Sequence, residues 1–389
     1  MLKKMLSIML SAFLAMSIFA GCGSSSDSSS NNGNQSRTEQ TSDENAKPIK
    51  DISAKELVAQ MKVGWNLGNT MESTGADGLD AETSWGNPKT REDMIKLVKD
   101  SGFNVLRIPV TWDKHMDKDY NVDKDWMARV KEIVDYGIDN DMYVILNTHH
   151  EEWYFPNSEN KDEDIKQITA LWSQIAEEFK GYDEHLLFEG FNEPRLRDTS
   201  SEWTDGTPEA QNIINDYEKA FYDAVRNSGG NNQKRHLLIT GYAASSMTGS
   251  MEAIKLPSDT DDKLIVSIHA YLPYTFALDK NGTDKFSDKS DTVSIDSLFS
   301  NIDRIFLSKN IPVIIGEFGA MNKFNDDDRI EWVKYYLKTA KQSGVPCLWW
   351  DNGAFFGNGE NFGLLNREIP ASWKFKEIVD AIMDTVNNE

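Results

Sequence analysis

Eight short, largely apolar runs recur along the chain, and between them the period of hydrophobic positions changes. The runs are Lys62–Leu67, Val105–Pro109, Tyr143–Asn147, Leu186–Phe191, His236–Gly241, Leu264–His269, Val313–Phe318 and Pro346–Trp350. Each is five or six residues long, which suits strands buried on both faces. The intervening segments carry a helical period. Trp126, Val130, Ile133, Val134 and Ile138 fall on one helix face. Thr207-Pro208-Glu209 reads as an N-cap followed by proline at the first helical position. Trp332, Tyr335, Tyr336 and Thr339 mark a third helix. Strands alternating with helices predict an α/β fold with a parallel sheet covered on both sides. Eight units in one domain predict a (β/α)8 TIM barrel. A doubly wound open sheet is the alternative. It favours a glycine-rich turn after the first strand, and Gly64-Trp65-Asn66-Leu67-Gly68-Asn69 lacks dinucleotide-binding spacing.

The periodic region is preceded by segments of another kind. Lys3 and Lys4 stand before an apolar stretch, Met5–Ala20, that is short for a bilayer span. Residues 1–21 therefore read as a secretory signal peptide. Phe19-Ala20-Gly21-Cys22 resembles a bacterial lipobox, with Phe19 where leucine is usual. Cys22 is then the expected lipidation site, and an ordinary signal peptide with an incidental cysteine is the alternative. Residues 22–47 are rich in Ser, Asn and Gly without apolar period and read as a disordered tether. The folded domain is expected over 48–389. Together these features predict a secreted bacterial lipoprotein at the cell surface, monomeric, touching membrane only through the anchor at Cys22.

The formal net charge of −22 argues against a nucleic-acid partner, because phosphate backbones would repel the chain. The folded domain holds one cysteine, Cys347, so it contains no disulfide of its own. Stability must come from the core.

The strand ends carry the chemistry. In a barrel of this kind the site forms at the C-terminal ends of the strands. Seven of the eight predicted ends present polar groups: Asn66 and Asn69, Arg107, His149 and His150, Asn192 and Glu193, His269 and Tyr271, Glu317, and Trp350 with Asp351. Glu193 and Glu317 end the fourth and seventh strands and can face each other across the mouth. Two opposed carboxylates are the apparatus of glycoside hydrolysis, one protonating the leaving oxygen and the other attacking or activating water. A metal reading of His149, His150, Glu151 and Glu152 is weaker. Metalloprotease spacing is absent, and adjacent strand side chains point opposite ways. No metal and no cofactor are expected.

Phe191-Asn192-Glu193-Pro194 and Ile315-Gly316-Glu317-Phe318-Gly319 resemble the acid/base and nucleophile segments of glycoside hydrolase family 5. The resemblance runs, in family order, through Gly64–Thr70, Glu82–Pro88, Leu106–Val110, Asn147–His150, Ser267–Tyr271 and Trp349–Gly353. Its Trp85-Gly86-Asn87-Pro88 segment is similar to the endoglucanase and xyloglucanase branch. The resemblance implies a retaining endo-β-1,4-glucanase acting on cellulose or a related β-glucan. Glu317 is then the nucleophile and Glu193 the acid/base, with Asn66, Arg107, His149, His150, Asn192, His269, Tyr271 and Trp350 binding substrate. It also implies that Arg107 and Tyr271 keep Glu317 ionised, that Asn192 holds the sugar 2-hydroxyl, and that Trp350 is a stacking floor. Arg195 is the one nearby cation for Glu193, and Pro194 is expected to direct it elsewhere, so a raised pKa is expected at Glu193. The polar segment Asp279–Asp291 is expected to wall one end of the cleft. Xyloglucanase, lichenase, xylanase or mannanase activity stays open, as does, from another class, a non-catalytic sugar-binding lipoprotein.

Overall fold

The computed structural model describes residues 47–258, 260–287 and 289–388. The expected signal peptide, the lipidation site at Cys22 and the tether through residue 46 lie outside the described residues. Lys47 already belongs to the domain. Its N–H donates to the Gly181 carbonyl at 3.2 Å, and its own carbonyl accepts from Asn231 at 2.7 Å. Among the described residues no helix is long and apolar enough to cross a membrane.

All eight apolar runs form strands: β1 (Gly64–Leu67), β2 (Val105–Ile108), β3 (Tyr143–Asn147), β4 (Leu186–Glu189), β5 (Leu237–Ile239), β6 (Leu264–His269), β7 (Val313–Phe318) and β8 (Cys347–Asp351). They pair in parallel in chain order, and β8 returns to β1 to close the barrel. Helices follow the strands as the periodicity predicts. Helix Lys124–Asp139 buries Trp126, Val130, Ile133 and Val134, and helix Pro208–Asn227 begins with the Thr207 cap and Pro208 in its first turn.

The barrel interior is layered. Its floor is apolar: Val105, Ile145, Leu187, Leu238, Ile265, Ile314 and Leu348 pack with Ala54, Leu57 and Val58 of the short helix Ala54–Val58. That helix closes the bottom and is fixed by a capping box between Ser53 and Glu56. Side chains on a strand alternate faces, so the next inward position lies two residues further on. There the interior turns polar, with Asn66, Arg107, Asn147, Glu189 and Ser267 all buried. Each fully buried Leu or Ile of the floor contributes about 1.5–3 kcal/mol. The larger apolar core lies on the other strand face, where Leu106, Val144, Phe188 and Trp349 cluster with Val130, Trp172 and Trp332 of the surrounding helices. The layer above the floor builds the site.

One irregularity matters. Ile268 pairs with Ile315, but His269 pairs with Glu317, and on the other side Ile315 and Phe318 pair with Cys347 and Trp349. Strand β7 thus carries one extra residue, a bulge at Gly316. A bulge re-aims the side chains beside it. Alternation alone would put Gly316 inward and Glu317 outward; the bulge returns Glu317 to the mouth. A Cβ on Gly316 would lie 2.6 Å from Ser267 Oγ and 3.2 Å from His269 Nε2, so only glycine fits there.

Candidate active site

Arg107 is the centre of the polar layer. Its Nε donates to Glu189 Oε2 at 2.7 Å, Nη1 to Asn66 Oδ1 at 3.0 Å and to Glu317 Oε1 at 2.8 Å, and Nη2 to Asn192 Oδ1 at 2.8 Å. The guanidinium is fully buried. Burial works against its charge, but Glu189 and Glu317 outweigh burial and hold it protonated. Asn66 spends its amide on the carbonyls of Gly316, Leu348 and Trp349. The sequence assigns Asn66 and Arg107 to substrate; in the structure both are wholly buried and bond to protein groups, so they fix the residues above them.

Glu317 receives Arg107 on one oxygen and the Tyr271 hydroxyl on the other at 2.8 Å. Glu193 faces it from the end of β4. His269 Nδ1 stands between them, 2.9 Å from Glu193 Oε1 and 3.6 Å from Glu317 Oε2. One oxygen of each carboxylate and a ring nitrogen of His269 all lie within 4.8 Å of one another. So close an approach of two carboxylate oxygens is consistent with the roughly 5–5.5 Å carboxyl separation of retaining glycosidases, and leaves little room for the water that inverting enzymes hold between carboxyls roughly 6.5–9.5 Å apart.

The expected raised pKa at Glu193 is not what this geometry gives. Burial pushes the carboxyl up, but the His269 hydrogen bond and the charges of His269 and Arg195 outweigh it, so Glu193 sits below its ordinary value. His269 moves the opposite way. Burial lowers it, and Glu317 and Glu193 together raise it above the ordinary histidine value. The opposite shifts favour an ionised Glu193 carboxylate beside a protonated His269 imidazole. Nor does Pro194 direct Arg195 away: its Nη1 is 3.8 Å from Glu193 Oε2.

The other expected residues gather at the same mouth. Asn147 donates to His149 Nδ1 at 3.2 Å, which leaves Nε2 as the protonated nitrogen. Burial, then His150 and Arg107, drive His149 well below 6.5, so it is a neutral donor. Its ring stacks on Trp350 at 5.8 Å, 4° from parallel. Both histidines follow the end of β3, where strand alternation no longer separates them; their rings meet edge to face at 4.5 Å. Burial lowers His150 to about 4. The Glu151 carboxylate is not aimed at the pair, since it accepts Trp112 N at 2.7 Å and Trp153 Nε1 at 3.0 Å. Of the segment expected to wall the cleft, Thr283 and Asp284 lie beside the loop after β7, where their carbonyls accept from Lys323 and Asn325. Of the loop aromatics, Trp112 is core, whereas Trp85, Trp203, Tyr274 and Phe356 are exposed.

Glu189 was not legible as a functional residue, although its signal is present: a carboxylate inside the largely apolar run Leu186–Phe191. It binds Arg107, Asn147 and Ser267, the last two at 3.0 and 2.7 Å, and so ties three strands together beneath the two carboxylates.

A family model described as Cellulase (glycosyl hydrolase family 5) matches residues 68–356. Endoglucanase B of Ruminococcus albus is 58% identical over 336 residues, 86% of this chain and 81% of the relative. A GH5-4 broad specificity endoglucanase from Ruminococcus champanellensis, solved with bound cellotriose, is 45% identical with a TM-score of 0.84, covering 86% of this chain and 99% of that one. A xyloglucan-specific endo-beta-1,4-glucanase from a metagenomic library, in complex with cellotriose, is 42% identical with a TM-score of 0.82, covering 85% and 98%. With the motifs in family order and the model matching most of the barrel, the chain belongs to the cellulase family, glycosyl hydrolase family 5.

Proposed function

We propose that the protein is a retaining endo-β-1,4-glucanase that hydrolyses internal bonds of cellulose and related plant β-glucans. The observation that carries this is the approach of the Glu193 and Glu317 oxygens to within 4.8 Å across the barrel mouth. Glu317 attacks the anomeric carbon as the bond to the leaving oxygen breaks, and the proton held by the Glu193–His269 pair passes to that oxygen. A covalent glycosyl-enzyme results. Glu193 then takes a proton from water, the water oxygen attacks the same carbon, and Glu317 leaves with its charge restored.

The neighbours fit these roles. Asn192 has its Oδ1 committed to Arg107, so its Nδ2 is the group free to donate to the sugar 2-hydroxyl. His149 offers a neutral Nε2–H, and Trp350 offers an aromatic floor for a pyranose. Likeness to a xyloglucan-specific enzyme makes xyloglucan the second substrate we infer. Export through residues 1–21 and acylation at Cys22 would hold the catalytic domain at the cell surface, where polymeric substrate is met.

The test is a product profile. Lichenan, hydroxyethyl cellulose, xyloglucan, xylan and glucomannan are incubated with the enzyme and with Glu317→Ala as the blank. Rapid viscosity loss on β-glucans, absent in the blank, with β-anomers released first, is the expected result. Release of α-anomers first would exclude the double displacement, and no hydrolysis of any polymer would favour a sugar-binding protein.

A further inference from the structure

Arg195 comes two residues after the acid/base and stops just short of it. Nη1 donates to the Glu193 backbone carbonyl at 3.0 Å, yet its distance to the carboxylate Oε2 is 3.8 Å. The other side of the guanidinium is occupied. Nε donates to Glu202 Oε1 at 3.0 Å, and the second Glu202 oxygen accepts Asp198 N at 3.0 Å, which anchors that carboxylate to its own loop. Trp203 lies against the guanidinium, 4.1 Å from its ring centroid. The side chains of Glu193, Arg195 and Glu202 are each about one-fifth exposed, at 19%, 19% and 21%. Their mutual attraction is therefore only partly screened.

A charge-assisted contact between guanidinium and carboxylate settles at about 2.7–2.9 Å. Only about an ångström separates Arg195 from capturing Glu193. A captured acid/base would stay ionised and could not protonate a leaving oxygen. A distant arginine would not help Glu193 act as a base on water in the second step. We propose that Glu202, with Trp203 packed on the guanidinium, is a positioning residue that holds Arg195 at a distance serving both steps. Arg195 favours the carboxylate without locking it. This rests on Glu193 being the acid/base.

The other titratable groups facing Glu193 are His269 and Tyr271 from the end of β6, Glu317 on β7, His150 and Tyr154 after β3, and Glu360 after β8. Among the described residues none of them hydrogen-bonds to Arg195 or Glu202. Arg197, the next cation on the loop, is spent on the carbonyls of Glu151, Glu152 and Tyr154. The restraint on Arg195 is thus local and can be removed by itself.

The experiment compares Glu202→Gln, Arg195→Gln and the double variant in the full chain. kcat/KM is measured against pH on lichenan and on dinitrophenyl cellobioside, whose leaving group needs no proton. In Glu202→Gln the arginine closes on Glu193, and the basic limb on lichenan moves down by about one pH unit, the smaller end of what an adjacent opposite charge does to a carboxyl. Above the limb, lichenan turnover drops about tenfold, whereas the dinitrophenyl substrate keeps the wild-type basic profile. Arg195→Gln moves the limb upward. The double variant shows no downward shift, because the capturing group is gone.

A Glu202→Gln limb at the wild-type position, or an equal loss on both substrates at every pH, would overturn the proposal. Should Glu202→Gln fold poorly, the direction of the Arg195→Gln limb decides alone, and an unmoved or lowered limb overturns it. Failure of the underlying reading looks different: Glu193→Gln would then hydrolyse lichenan at the wild-type rate.

Discussion

Arg107→Met puts a number on the central ion network. The arginine is fully buried, and so is its partner Glu189, with 1% of that side chain exposed. Methionine matches the aliphatic stem but leaves Glu189 without a cation, while Glu317 keeps its Tyr271 bond and some exposure. The protein contains its own gauge for such a carboxyl. Glu151 is buried with two N–H donors and no paired cation, and burial pushes it from 4.5 to about 8. A carboxylate so raised loses about 1.4 kcal/mol of folding stability for every pH unit between 4.5 and the working pH. For Glu189 in the variant that is about 3.5 kcal/mol at pH 7 and about 0.7 kcal/mol at pH 5. The first figure agrees with the roughly 3–5 kcal/mol usual for breaking a buried pair by removing one partner.

The sign follows from the direction. A carboxyl whose folded-state pKa is raised contributes most below its unfolded value, and that contribution is lost as pH rises through the folded value. The penalty of Arg107→Met should therefore grow from acid to neutral pH. Denaturant midpoints of wild type and variant at pH 5 and pH 7 measure it. Adding Glu189→Leu removes the stranded charge and should recover most of the pH 7 loss. An equal penalty at both pH values, or a double variant no more stable than the single one, would refute the reasoning that an unpaired Glu189 is the cause.

Three further outcomes follow from named contacts. Glu151→Gln should be less stable than wild type at pH 5 by about 1 kcal/mol, since one of its two N–H donors loses an acceptor. Above pH 8 it should match or exceed wild type, because the wild-type carboxyl, raised to about 8, has by then given up its contribution; thermal unfolding at the two pH values shows whether the curves cross. Gly316→Ala forces a methyl against Ser267 and His269; kcat/KM should fall about a hundredfold, the usual cost of a misplacement near 1 Å, with about 1–3 kcal/mol of destabilisation, and wild-type kinetics would show that the bulge does not set the site. Trp350→Ala removes the ring that stacks on His149, and kcat/KM on cello-oligosaccharides should fall by about 2–3 kcal/mol, near a hundredfold; a loss under threefold would remove Trp350 from the floor of the subsite.

The strands were readable because parallel strands covered on both faces must be apolar throughout, and five or six such residues have few other uses. Glu193 and Glu317 were readable because each breaks an apolar run where the barrel opens. What stayed hidden depends on contacts distant in sequence. His269 lies 76 residues from Glu193, and only their meeting turns an expected proton-rich carboxyl into a carboxylate favoured by a neighbouring imidazole. The boundary at Lys47 was hidden for the same reason, because its partners Gly181 and Asn231 lie far along the chain.

Burial at the strand ends was the other thing hydrophobic pattern could not give. Asn66 and Arg107 look like any strand-end polar residue, yet they are wholly buried and bonded to protein groups. The bulge explains why the two layers are hard to separate by counting. Each inward position follows the last by two residues, so Ile314 on the floor predicts Gly316 above it and turns Glu317 to the outside. One extra residue in β7 breaks the count and delivers Glu317 to the mouth, where Arg107 from the layer beneath can reach one oxygen and Tyr271 the other. Glu317 is thus placed by an irregularity in hydrogen-bond register, and the side chain that would reveal that irregularity is the one glycine lacks.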